Sequence, residues 1–111
     1  MADLSFLYKF TKGNETKIKR YIKMYLSIAP EIFDRMKTDI ESQNWAGLAI
    51  NAHSLKPQVD YMGIPELKET LVDIENRVKN NKIEDLKSLF EKALQLHQES
   101  ATVLENKMNL L

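Results

Sequence analysis

Apolar residues recur at spacings of three and four along nearly the whole chain, and neither strand-like alternation nor β-hairpin dipeptides occur. A chain patterned this way can bury its apolar surface only by packing helix stripes against one another, so the fold class is all-α. At 111 residues the chain has the length of one domain, enough to close a core without metal or disulfide. The reading is an up-down four-helix bundle with one or two additional N-terminal helices. Residues 1–13 form an extension or short capping helix, and the bundle spans about 30–108 of a single domain, 1–111.

Punctuation along the chain sets the expected helix ends. Asp3 caps a short first helix that reaches Phe10 and stops near Gly13, with Phe6, Leu7 and Phe10 on one face. Asn14 caps the next, whose stripe is Ile18, Tyr21, Ile22, Tyr25 and Leu26. Pro30 suits the first turn of a separate helix that buries Ile32, Phe33, Met36 and Ile40 and ends near Ser42. Asn44 opens a helix with Trp45, Leu48, Ala49, Ala52, Leu55, Val59 and Met62 on its core side, and Gly63 closes it before Pro65. Leu67, Leu71, Ile74 and Val78 line the following helix. Asn81 and Glu84 have the spacing of a capping box ahead of a last helix bearing Leu86, Phe90, Ala93, Leu94, His97, Ala101, Leu104 and Met108.

Composition removes several functions. Sixteen Lys and Arg balance sixteen Asp and Glu, so the chain lacks the positive excess of a broad nucleic-acid footprint. With no cysteine there is no thiolate metal site, disulfide framework or cysteine nucleophile. No metal and no cofactor are expected: two histidines without HxxxH or ExxH spacing do not supply a ligand set. The start lacks a signal-peptide pattern and no apolar run approaches the roughly 18 residues of a membrane span, so the chain reads as cytoplasmic with no membrane partner. Balanced charge and a self-contained bundle point to a monomer.

The informative stretch is the helix from Ala46 to Gly63. At about 100° per residue, His53 falls on the flank of the core face, and Lys56 is its neighbour one turn on. Ala46, Ile50, Pro57 and Tyr61 lie on the outer side around it, where an ordinary surface helix would be polar. An apolar patch beside a reactive polar group suits a docking surface. A neutral imidazole is a good nucleophile near neutral pH, and a lysine one turn away can offset the charge of a phosphoryl group on it. Taken alone, a histidine and a lysine on a helix are more often a solvated flank. His97, on the apolar stripe of the last helix, reads as a packed or hydrogen-bonded histidine. The Lys17, Lys19, Arg20 and Lys23 cluster reads as a solvated basic face able to attract an acidic partner.

The run Ala52-His53-Ser54-Leu55-Lys56-Pro57, with Gly63 ten positions after the histidine, resembles the signature of histidine-containing phosphotransfer domains. The Asn44-Trp45 start and the two helices after Gly63 extend the resemblance to roughly residues 31–104. It implies His53 as phosphoacceptor, Lys56 as the charge-neutralising lysine and Gly63 as the helix end. Glu75 falls where many members hydrogen-bond the imidazole from the adjacent helix, and Lys79 where some carry a basic residue. A solvated Glu75–Lys79 pair at i, i+4 is the plainer alternative for those two. The implied function is a relay of phosphoryl groups between His53 and an aspartate of a response-regulator receiver domain, with a receiver or a hybrid sensor histidine kinase as partner. Such a carrier is not an enzyme; the partner supplies the magnesium and the active site. A helical adaptor that binds a receiver or kinase without being phosphorylated is the alternative. The chain departs from the family at Pro57, where glycine is usual. Proline there removes the amide that would bond the His53 carbonyl, so a kink is expected beside the site.

Overall fold

The computed structural model describes residues 2–111. Its five helices are α1 (Ser5–Phe10), α2 (Glu15–Glu41), α3 (Trp45–Tyr61), α4 (Pro65–Lys79) and α5 (Leu86–Asn109). Helix α2 packs on α3 and α5, and α4 packs on α3 and α5, which closes a four-helix ring with α1 at one end. The rod measures 43 × 20 × 18 Å. Its length is set by α2, whose 27 residues span about 40 Å at 1.5 Å per residue.

Pro30 does not begin a helix; it lies inside α2. The bundle therefore starts at Glu15 rather than near residue 30, and one N-terminal helix precedes it, not two. Pro30 is exposed, while Tyr25, Ala29, Ile32, Phe33 and Met36 continue one buried stripe past it. Burial along that stripe outweighs the roughly 3 kcal/mol that an internal proline costs a helix.

The helix ends divide into those that side chains announce and those that the backbone decides. Asn14 and Asn44 cap as expected, accepting from the amides of Lys17 and Gly47 at 3.1 Å each. Asp3 does not cap α1: Leu4 holds that position, and the Asp3 carboxylate accepts from the Ser5 amide and hydroxyl instead. Asn81 does not open α5. It adopts the left-handed conformation, φ 56°, that ends α4, while the Lys82 amide reaches back 2.8 Å to the Arg77 carbonyl. Helix α5 begins at Leu86 after Asp85, with no side-chain cap.

The core takes Leu48, Ala52, Leu55 and Val59 from α3 and Met62 just past its end, Leu67, Leu71 and Ile74 from α4, and Leu86, Phe90, Ala93 and Leu104 from α5. Trp45, Ala49 and Val78 are half-buried at its edge. From α1 only Leu7 enters; Phe6 and Phe10, expected beside it, stack on each other and stay about half exposed. Across the middle of the bundle, the Tyr25 hydroxyl of α2 lies 2.8 Å from Nδ1 of His97 on α5. That imidazole stacks on Phe33, with ring centroids 4.9 Å apart. Burial holds the His97 pKa below the ordinary 6.5 and pushes the Tyr25 phenol well up.

Gly63 has a second duty besides ending α3. Its φ is +63°, and its carbonyl accepts the Asp3 amide at 2.8 Å. A Cβ built on it would lie 1.7 Å from the Asp3 carbonyl oxygen. The glycine thus lets the N-terminal strap, with buried Ala2 and Leu4, cross the end of α3.

Two outcomes follow. Gly63→Ala should lower stability by about 1–2 kcal/mol from the left-handed backbone alone, and hydrogen exchange should show residues 2–10 losing protection. His97 gives a pH dependence. The unfolded chain takes up a proton near pH 6.5 that the folded chain resists, so stability is full above that pH and falls as the pH drops through it. Denaturation at pH 7.5, 6.5 and 5.5 should show that decline, and His97→Gln should flatten it.

Candidate functional site

Burial of Leu48, Ala52, Leu55 and Val59 orients α3, and one residue past Ala52 turns His53 out of the core. Its side chain is 72% exposed. On α4, the buried positions Leu71 and Ile74 place Glu75 on the flank that faces α3. The Glu75 carboxylate, 22% exposed, bridges two groups on α3: Oε2 lies 3.0 Å from Nδ1 of His53, and Oε1 lies 2.7 Å from the Lys56 ammonium. The Lys56 contact is an ion pair without hydrogen-bond alignment, and among the described residues it is the only polar partner of the buried Oε1.

This geometry has a chemical consequence. An ionised carboxylate only accepts hydrogen bonds, so a neutral His53 must carry its proton on Nδ1. The lone pair is then left on Nε2, at the open edge of an exposed ring. The acceptor holds the ring's orientation and its tautomer together. The result is a nucleophilic nitrogen available to an incoming electrophile, with negative charge and a paired cation behind it.

The other site residues divide. Lys56 does not stand free beside the imidazole; Glu75 holds it. Lys79 is exposed and forms no ion pair among the described residues, so the i, i+4 pair with Glu75 does not form. Ala46, Ile50 and Pro57 are exposed along the outer face of α3, Ile50 at 68%. Helix α3 continues through Pro57 to Tyr61. Tyr61 is half-buried in an aromatic cluster, 5.7 Å from Phe6, 5.9 Å from Phe10 and 5.9 Å from Tyr21. Sequence reasoning gave Tyr61 an outward position but did not foresee α1 beside it. Periodicity within one helix carries no information about which distant segment crosses its end. His97 is 5% exposed and hydrogen-bonded, remote in character from the open His53 ring.

A family model described as the Hpt domain matches residues 20–107. Two solved structures share the fold. The histidine-containing phosphotransfer protein B (HptB) of Pseudomonas aeruginosa PAO1 superposes with a TM-score of 0.91 at 14% identity, covering 99% of this chain and 96% of that one. The HPT domain of the Hpt sensor hybrid histidine kinase of Shewanella gives a TM-score of 0.84 at 18% identity, covering 98% and 94%. At those identities the likeness is one of architecture. No curated protein gives a significant sequence match.

The bridge predicts a spectroscopic result. In the intact protein, ring nitrogen shifts at neutral pH should report His53 protonated on Nδ1. Glu75→Ala should return the ring to the mixed tautomers of free imidazole, whereas Glu75→Gln, which keeps an acceptor oxygen, should retain most of the bias.

Proposed function

The chain belongs to the Hpt domain family, and from that premise we propose that His53 is the residue through which it relays phosphoryl groups. A histidine phosphotransfer domain of a phosphorelay needs one exposed imidazole with a free nitrogen. The observation that carries the assignment is the Nδ1 contact with Glu75, which leaves Nε2 of a 72% exposed ring open. His97 is buried against Tyr25 and Phe33 and offers no such edge.

In the proposed step, the Nε2 lone pair attacks the phosphorus of an aspartyl phosphate. The P–N bond forms as the P–O bond to the aspartate breaks, and that electron pair returns to the carboxylate. The Nδ1 proton stays in place, held by Glu75, so the reverse transfer releases a neutral imidazole. Lys56 offsets charge on the transferred group as its ammonium is shared between that group and Oε1 of Glu75. Lys79, exposed at the end of α4, adds at most a diffuse positive field. Gly63 supports the site indirectly, by ending the helix that carries His53. Phosphoryl transfer depends mainly on positioning and charge stabilisation, so a carrier can be chemically sparse while the partner brings metal and aspartate. In this reading the chain is not an enzyme by itself.

Its partners belong to two-component signalling: a receiver domain, a hybrid sensor histidine kinase, or both. The docking surface in this reading is the apolar line Ala46, Ile50, Pro57 and Tyr61, which flanks His53 on the side away from Glu75. No described helix is long and apolar enough to cross a membrane. The proposed place of action is the cytoplasm, as a monomer, where ATP feeds the kinases of such relays.

Incubation with chemically phosphorylated receiver domains should label the chain with phosphate that is labile in acid and stable in alkali. His53→Ala should abolish the label, and His97→Gln should keep it. Undiminished labelling of His53→Ala would rule this site out.

A further inference from the structure

Ala52 points into the core, and the residues on either side of it turn about 100° away to opposite flanks of α3. His53 faces α4, where Glu75 meets it. Asn51 faces α2, where a second carboxylate meets it. Its side-chain amide donates to Oδ2 of Asp39 at 2.7 Å, and both residues are half-buried. The helix that carries the imidazole is thus held on both flanks, by one carboxylate from each of two neighbouring helices.

Asp39 is tied to α3 at a second place. Its backbone carbonyl accepts the Asn44 amide at 2.7 Å, and its Oδ1 accepts from Nδ2 of Asn44, the capping residue, at 3.4 Å. Asn44 and Asn51 stand seven residues apart, two turns along one face, and Gly47 lies between them. A Cβ on Gly47 would come within 2.5 Å of Nδ2 of Asn44 and 2.9 Å of Oδ1 of Asp39. Glycine is a poor helix former, and here its missing side chain is what admits the Asp39 carboxylate to the surface of α3.

We propose that Asp39 is a positioning residue for phosphoryl transfer: acting through Asn51, it sets the rotation of α3 and with it the aim of the His53 ring. The proposal rests on the relay reading of His53 and adds to it a residue that reaches the ring only through α3. Burial of apolar surface is non-directional. It excludes a large rotation of α3, and a hydrogen bond, which has a preferred distance and angle, fixes the last few degrees. A helix with its side chains has a radius of about 5–6 Å, so a turn of about 10° carries a side-chain tip about 1 Å. A misplacement of that size can slow a reaction about a hundredfold. Transfer to Nε2 is in line and depends on positioning, so it feels such a turn directly. The contact between Nδ1 and Glu75 feels it too, because α3 must present the ring at 3.0 Å from a carboxylate on another helix.

The test measures transfer from chemically phosphorylated receiver domains of the chain's own organism to the full chain, over a range of receiver concentrations, together with the ring nitrogen shifts of His53. Asn51→Ala cuts the tie and leaves Asp39 on Asn44, so the turn into α3 is kept. It should lower the transfer rate at saturation about tenfold with the half-saturating concentration unchanged. It should also weaken the bias toward the proton on Nδ1. Asp39→Ala should do the same, and Asp39→Asn, which keeps an acceptor oxygen for Asn51, should restore most of both. A lowered melting temperature with wild-type rate and ring shifts would make the contact merely structural and overturn the proposal. So would a loss seen only in the half-saturating concentration, which would place Asp39 in docking. The relay reading fails separately, if the wild type takes no label on His53. The ring shifts of Asn51→Ala then decide the role of Asp39 by themselves, and a bias equal to that of the wild type overturns it.

Discussion

The direction in which one imidazole points depends on the burial of the stripe Leu48, Ala52, Leu55 and Val59 between α2, α4 and the rest of the core. Each of the larger three contributes about 2 kcal/mol by leaving water, and together they forbid α3 from rotating about its axis. With Ala52 pinned inward, the next residue is turned about 100° away, onto the flank where solvent and α4 meet. The precision with which His53 is aimed is that of the helix packing beneath it.

On that flank a single carboxylate does three things. It orients the ring, selects its tautomer and holds a cation in reserve. Lys56 and Glu75 are each only about a fifth exposed, so their attraction is less screened than that of an open surface pair. The arrangement differs from the simplest expectation, in which lysine faces the histidine directly. Here the ammonium is bound to the group behind the ring, which keeps Nε2 unencumbered.

The far end of α3 is governed by backbone rather than side-chain chemistry. Gly63 admits the N-terminal strap at a distance no Cβ would allow, and the strap seats α1 so that Leu7 is buried while Phe6 and Phe10 remain at the surface beside Tyr61. A residue that reads as a plain helix stop is therefore also what joins an aromatic corner to the helix bearing His53. A buried polar contact, Tyr25 to His97, ties α2 to α5 across the interior and gives the bundle its sensitivity to acid.

Much of this was legible in the order of residues. Period-3.6 patterning identified the helical class and most of the buried positions, because burial of a stripe is a local property of spacing. Asn14, Asn44 and Gly63 marked their helix ends because capping chemistry acts over three residues. His53 and Lys56 stood out through spacing and family pattern. Pro30 and Asp3 misled because each has a local preference of a few kcal/mol or less, which burial of the α2 stripe and the bond of the Asp3 amide to Gly63 outweighed; Asn81 misled because an asparagine suits the left-handed end of one helix as well as the start of the next. The family pattern implied that Glu75 reaches the imidazole; that the same carboxylate also holds Lys56, and that Phe6 and Phe10 stay exposed beside Tyr61, belong to the tertiary structure alone. They join residues from different helices, and the angle and register at which helices meet are set by packing over the whole bundle, which no single stretch of sequence encodes.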